Sequence, residues 1–245
     1  MRFIRGALLG LFLVAAAAPP AGAVVGGVRT ASGNFPWMVR LSVGCAGALV
    51  APRVVLTAAH CASGAASMRV TAGSADVRAG VRARSIAVLR APGYRAAKQG
   101  SDWALLRLDR PLALATLALT PSTAYDQGTF TIMGWGSASE GGGQKRYLRT
   151  ATVPFVSDSA CATAYRGTGF SASDMICAGD VRGGGTDTCQ GDSGGPMVRR
   201  DAAGNWVAVG IVSWGYGCGR AAYPGVYTRV SAFTAAIAKA IVFLR

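Results

Sequence analysis

Short apolar or alternating segments recur along the chain and are punctuated by Gly, Pro, Asn and Asp. They run from Met38 to Val43, Ala48 to Leu56, Arg84 to Leu89, Trp103 to Leu108, Thr129 to Met133, Leu148 to Phe155, Trp206 to Trp214 and Gly225 to Val230. This is the pattern of an all-β protein. In Arg82-Ala83-Arg84-Ser85-Ile86-Ala87-Val88 polar and small positions mix as on a strand with one wet face, so these arginines read as a solvated surface. Helical periodicity is confined to two places. After Ser231, an expected N-cap, Phe233, Ile237, Ala240, Ile241 and Leu244 form one apolar stripe with Lys239 off it, which predicts a docked C-terminal helix. A shorter helix is expected to start after Ser157 and run through Cys161 to Tyr165, where Ser157-Asp158-Ser159 offers caps. The stretch from Asp109 to Pro121 reads as a seam between two halves, although no internal repeat is visible.

The first residues follow a different pattern. Arg2 and Arg5 precede an apolar run from Ala7 to Ala18, then Pro19-Pro20-Ala21-Gly22-Ala23. This reads as a secretory signal peptide with a small-x-small cleavage site, a short remnant before Val24 being the alternative. The run falls short of the roughly 20 helical residues that a membrane anchor needs. The expected divisions are therefore a leader over 1–23, a first half over 24–121 and a second half over 122–245. Export would make the protein extracellular and bring all six cysteines into an oxidising environment.

A chain of 245 residues can bury a sizeable core, and 51% hydrophobic against 15% charged residues excludes intrinsic disorder. The formal net charge of +14 would attract anions. It comes mostly from scattered arginines with no run of five like charges, so no nucleic-acid partner is expected. Cys45, Cys61, Cys161, Cys177, Cys189 and Cys218 include no Cys-x-x-Cys pair, and the chain holds 1 His, which argues against zinc. Three disulfides are expected. Six cysteines allow many pairings and sequence does not choose among them. The natural reading joins Cys45 with Cys61 and Cys161 with Cys177, each closing a loop worth about 3 kcal/mol, and leaves Cys189 with Cys218.

Chemistry concentrates in Leu56-Thr57-Ala58-Ala59-His60-Cys61, in Asp102-Trp103-Ala104-Leu105-Leu106, and in the run from Asp187 to Pro196 that contains Gly191-Asp192-Ser193-Gly194-Gly195. A serine hydroxyl is a weak nucleophile unless a base takes its proton during attack, and His60 is the one imidazole available for Ser193. Asp102 would hold the far ring nitrogen. Asp76, Asp109 and Asp126 are rivals that lie among turn residues, whereas Asp102 opens an apolar strand and must be paired once buried. Small residues around Ser193 would let a substrate carbonyl approach the amides of Gly191 and Ser193, each donor to the oxyanion being worth about 3–4 kcal/mol.

Together these segments resemble the chymotrypsin-like serine proteases, whose chain order is His, Asp, Ser; subtilisins and α/β-hydrolases use other orders. Val24-Val25-Gly26-Gly27 resembles the family's mature start and Met133-Gly134-Trp135-Gly136 a central strand. Ser213-Trp214-Gly215 and Pro224-Gly225-Val226-Tyr227 resemble its pocket walls. The chain looks most like the trypsins, and among them the secreted actinobacterial ones. The resemblance implies two six-stranded antiparallel Greek-key β-barrels packed face to face, a short intermediate helix and a C-terminal helix. His60 and Asp102 would then come from the first barrel and Ser193 from the second.

It also implies a substrate pocket. Asp187 would form its floor and select Arg or Lys, since an apolar side chain would leave the carboxylate unpaired. Thr188 would stand beside that charge and Gln190 at the rim. Gly215 and Gly225 would keep the walls open, and Ser213, Trp214 and Gly215 would offer backbone groups to an extended substrate. The Val24 amine would insert and pair with Asp192. Most members carry a basic residue before the mature start; here Ala23 precedes it, so export itself would create the terminus. Between Met68 and Gly80, where vertebrate trypsins hold calcium with several acids, only Asp76 occurs, and no metal or cofactor is expected.

The expected partners are protein or peptide substrates with Arg or Lys and proteinaceous serine-protease inhibitors, acting on a monomer without membrane attachment. The competing reading is a catalytically silent cationic binding protein on the same scaffold; a third is an esterase or a protease of chymotryptic taste. Finally, three glycines before Lys145-Arg146 in the run from Glu140 predict a mobile loop that the enzyme itself would cut.

Overall fold

The computed structural model describes residues 24–64 and 67–245, so the expected leader lies outside the described residues. In chain order the strands are β1 (Val28–Arg29), β2 (Met38–Leu41), β3 (Ala46–Ala51), β4 (Val54–Thr57), β5 (Arg69–Ala72), β6 (Val81–Arg90) and β7 (Ala104–Leu108). They continue as β8 (Ala118–Leu119), β9 (Thr129–Gly134), β10 (Arg149–Val156), β11 (Met175–Ala178), β12 (Pro196–Arg200), β13 (Trp206–Trp214) and β14 (Gly225–Arg229). Helix α1 spans Asp158–Ala164 and α2 spans Val230–Leu244.

Two antiparallel barrels of six strands close on themselves. The first runs β2-β3-β4-β7-β6-β5 and returns to β2; the second runs β9-β10-β11-β14-β13-β12 and returns to β9. Both orders are the same permutation of chain order, a repeat of topology with no trace in the sequence. Closure satisfies every ladder without leaving an edge. The N-terminal β1 pairs with β10, and β8 adds in parallel to β13, so both flank the second barrel.

Most expected strands form close to their expected bounds. The segment from Ala48 to Leu56 is instead a hairpin, β3 and β4 turning at Pro52-Arg53. Both strands are buried almost throughout, so no polar alternation marked the turn. The four-residue β5 and β11 and the arginine-ended β12 gave too little period to be read.

Ser157 caps α1 by accepting a hydrogen bond from Ala160 N at 3.3 Å. The cap expected of Ser231 does not form, because α2 starts earlier, at Val230, and the Ser231 hydroxyl donates to Asp126 at 2.6 Å. The apolar stripe holds: Val230, Ile237, Ile241 and Leu244 are buried and Phe233 and Ala240 pack beside them. Their shared core joins the first barrel to Met133, Trp135, Val198, Ala208 and Ile211 of the second, leaving a cleft where the two barrels meet.

Three disulfides form: Cys45–Cys61, Cys161–Cys177 and Cys189–Cys218. The first ties the residue just before β3 to the turn carrying His60, the second ties α1 to β11, and the third bridges two loops of the cleft.

Candidate active site

His60 opens a single 3-10 turn just after β4 and is 28% exposed, with its ring at the cleft. Its Nδ1 lies 2.8 Å from Asp102 Oδ2, and its backbone N–H donates to Asp102 Oδ1 at 2.9 Å. Asp102 immediately precedes the apolar Trp103 and β7 and is 1% exposed, so its pairing meets the requirement for a buried carboxylate. Burial alone would raise this carboxyl. The hydrogen bonds and charge of His60, with the Ser213 hydroxyl at 2.5 Å, outweigh that and hold it below the ordinary carboxylate value. The rival acids are engaged elsewhere: Asp76 with Arg146, Asp109 with the Arg84 amide, Asp126 with Arg229.

Ser213 reaches Asp102 because of a bulge. On β13, Val212 pairs with Tyr227 and Trp214 with Val226, leaving Ser213 as the extra residue. A bulge re-aims a side chain out of the ladder. The Thr228 hydroxyl donates to the Asp102 carbonyl at 2.9 Å, a second tie from the opposite barrel. Sequence reading assigned Ser213 a backbone role toward substrate; its side-chain role follows from the bulge alone.

Ser193 stands half-buried in the turn before β12. Its carbonyl accepts from Ala46 N of β3 at 2.8 Å, and Gly194 N donates to Val212 O at 2.9 Å, which anchors the turn to both barrels. A side chain at Gly194, where φ is +78°, would lie 2.6 Å from the Ala46 carbonyl. Among the described residues no hydrogen bond joins His60 to Ser193; such contacts often tighten only when substrate binds.

Asp192 points away from the cleft into the protein. It is fully buried and accepts from Gly136 N at 2.7 Å and Cys189 N at 2.9 Å. Burial pushes it up to about 6 against these two amides and the charge of Arg40. A Cβ on Gly136 would fall 2.5 Å from its carboxyl carbon, the physical reason for glycine beside Trp135. Val24 is fully buried in the core of the second barrel, and Val25 exchanges backbone hydrogen bonds with Asp187 at 2.9 and 3.3 Å.

A cavity of about 150 Å³ opens beside Ser193. Asp187, Thr188, Gln190, Ser213, Trp214, Gly215 and Gly225 all line it, together with the Cys189–Cys218 bridge. Asp187 is 4% exposed and accepts from Thr188 N at 2.8 Å and Gly219 N at 2.9 Å. Burial pushes it up to about 7, against those two amides. A Cβ at Gly225 would lie 2.6 Å from its Oδ1, whereas one at Gly215 would meet nothing nearer than 3.7 Å. Gly225 is thus demanded by the floor, while Gly215 merely leaves the mouth wide.

The trypsin family model matches residues 24–237, which take in both barrels and the whole cleft. The chain belongs to the trypsin family. It is 50% identical over 223 residues to a trypsin-like protease of Streptomyces glaucescens, covering 89% of this chain and 82% of that one. A trypsin of Saccharopolyspora erythraea is 40% identical over 222 residues, covering 86% and 94%. Trypsin alpha-4 of Lucilia cuprina is 37% identical over 223 residues, covering 86% and 84%. This trypsin-family protein is accordingly a serine endopeptidase acting on proteins.

Three features of this trypsin-family cleft had no sequence signal. Tyr165 packs on Trp214 and Tyr216 and donates its hydroxyl to the Pro224 carbonyl at 2.6 Å, bracing one pocket wall. Lys98 lies 4.7 Å from the Tyr216 ring centre and 5.5 Å from that of Trp214. Arg40 lies behind Gly191.

The loop expected to be mobile carries several contacts at its two ends. Arg146 makes a two-pronged pair with Asp76, closest at 2.6 Å, and Glu140 pairs with Arg220 at 2.6 Å. Lys145 N donates to Trp135 O at 2.8 Å, and Tyr147 lies under the Arg29 guanidinium at 3.4 Å. The two ion pairs and the Arg29 contact reach residues far away in sequence.

Proposed function

We propose that this serine endopeptidase cleaves on the carboxyl side of Arg and Lys, with Ser193 as nucleophile, His60 as general base and acid, and Asp102 orienting His60. The observation that carries the specificity is Asp187: a buried carboxylate with no cationic partner among the described residues, facing a cavity that opens beside Ser193. A guanidinium or ammonium entering that cavity supplies the missing charge. An apolar side chain leaves it unpaired, at a cost that decides the choice.

In the reaction, Ser193 Oγ attacks the scissile carbonyl carbon as its proton passes to His60 Nε2. The developing oxyanion is held by the amides of Gly191 and Ser193. Asp102 fixes the ring and stabilises its charged form. His60 returns the proton to the leaving amine, the C–N bond breaks, and an acyl ester remains on Ser193. Water then attacks the ester with His60 as base, releasing the new carboxylate and restoring the hydroxyl. An extended substrate aligns along Ser213, Trp214 and Gly215, and a proteinaceous inhibitor would use the same edge.

The enzyme is exported as a monomer and begins at Val24, whose free amine pairs with Asp192. The buried Val24, the glycines around Asp192 and the three disulfides support this reading. Among the described residues no helix is long and apolar enough to cross a membrane.

The test compares amides ending in Arg, Lys, Phe and Leu on the enzyme and on Asp187→Ser, with labelling of Ser193 by a fluorophosphonate. Arg and Lys substrates should dominate, and Asp187→Ser should lose them by about 100-fold or more while keeping the label. Full activity of the variant on Arg amides would remove Asp187 from the specificity role. Absence of label on the parent enzyme would favour the silent binding protein.

A further inference from the structure

The turn that carries Ser193 has a cation behind it. Arg40 of β2 is half-buried, and its Nη1 donates to the carbonyls of Cys45 at 3.2 Å and Gly191 at 3.4 Å. Its Nη2 donates to Gln144 Oε1, and Gln144 Nε2 donates to the Gly44 carbonyl at 2.6 Å. The side chain of Gln144 also covers Gly191 from above: a Cβ there would fall 2.8 Å from its Cγ. Removing a guanidinium from water is costly unless its donors are used, and here the fork meets three acceptors. Burial lowers the Arg40 pKa, and the Asp192 carboxylate counters that.

The geometry gives the cluster a task. Gly191 has φ +100° and no side chain, so it is a swivel between two peptide planes. The plane before it is held by Ser137 N, which donates to Gln190 O at 2.8 Å. Carbonyl and amide of one trans peptide point opposite ways, so this contact aims Gly191 N–H away from Ser137. The plane after it is held by Arg40 through Gly191 O.

We propose that Arg40, together with Gln144, is a positioning residue for catalysis: by holding the peptide plane between the two donors it keeps the Gly191 amide, aimed by Ser137, and the Ser193 amide turned toward the same substrate oxyanion. The inference rests on the reading of Gly191 and Ser193 as the oxyanion donors. Arg40 touches no substrate and acts only through the turn.

The test uses Arg40→Met, which keeps length and removes the fork, Arg40→Lys, which keeps the charge alone, and Gln144→Leu. Each is measured for kcat and KM on an Arg amide, for binding of an arginine peptide aldehyde and of the matching alcohol, and for binding of benzamidine. The aldehyde forms an oxyanion on Ser193, whereas benzamidine needs only the Asp187 pocket. Losing one oxyanion donor outright costs about 100-fold or more, so a misaimed donor in Arg40→Met should lower kcat by about tenfold with KM nearly unchanged. Aldehyde binding should weaken by the same factor and benzamidine binding should hold. Arg40→Lys should fall between, and Gln144→Leu should repeat the split should Arg40→Met not fold.

Unchanged kcat and aldehyde binding in the folded variants would overturn the proposal. So would a parallel loss of aldehyde and benzamidine binding, which would mean a merely structural role. A parent enzyme that bound the aldehyde no tighter than the alcohol would instead refute the oxyanion reading beneath it.

Discussion

Ser213 Oγ donates to Asp102 Oδ2 at 2.5 Å, joining residues 111 positions apart and belonging to different barrels. The same carboxylate oxygen faces His60 Nδ1 at 2.8 Å, so one buried acid is the hinge on which both halves of the cleft are aligned. Ser213→Ala would take away a hydrogen bond to a charged group, worth about 1.5–3 kcal/mol of stability. Asp102 is held below its unfolded pKa, so its stabilisation is present above the unfolded value near 3.8 and is lost as pH falls through the folded one. Without Ser213 the folded pKa rises, and acid unfolding should begin at higher pH than in the parent. Coincident acid-unfolding curves would show that this hydrogen bond contributes nothing.

Asp187 acts in the opposite direction. Burial pushes it to about 7, above the unfolded value, so between pH 4 and 7 the folded enzyme keeps a proton that the unfolded chain has lost. Its contribution to stability is complete below pH 4 and is lost as pH rises to about 7. Thermal unfolding of Asp187→Ser should lack that decline. A cation in the pocket favours the carboxylate, so benzamidine affinity should rise about tenfold from pH 6 to pH 8. A flat profile would mean that the empty pocket already holds its carboxylate ionised.

Arg146 is guarded by Asp76, whose carboxyl its hydrogen bonds hold down at about 2. Self-cleavage after Arg146 requires this guanidinium to leave Asp76 for the Asp187 pocket of another copy. Asp76→Asn removes the competing charge and should speed the appearance of a terminus at Tyr147 several-fold in concentrated enzyme. Equal rates, read by mass spectrometry, would show that the backbone hydrogen bonds from Lys145 N to Trp135 O and from Val77 N to Arg146 O protect the loop by themselves.

Enzyme beginning at Val24 should be fully active, and a form with one additional residue before it should lose most activity, because the displaced amine no longer reaches Asp192. An α-amino group titrates near 8 when free and higher when paired with a carboxylate. Activity should therefore decline only at clearly alkaline pH as the amine loses its proton. Full activity of the extended form would exclude the insertion.

The all-β character, the apolar stripe of α2 and the cap of α1 were legible because each is a local pattern: a period, a cap or a turn residue within a few positions. The segments around His60, Asp102 and Ser193 stood out for the same reason, since each is a short run of residue types suited to one chemistry. Ala48 to Leu56 misled, because a hairpin buried on both faces has no polar alternation to mark its turn. The contacts of the Glu140 loop to Asp76 and Arg220 were not legible, because they reach residues at distances in sequence that no window sees. Barrel closure decided what remained. It brought Asp102 to His60 across 42 positions, aimed Ser213 through a bulge that exists only once β13 pairs with β14, and set Arg40 against Gly191 across 151. Such contacts depend on register between distant strands, which the sequence specifies only through the packing of the whole.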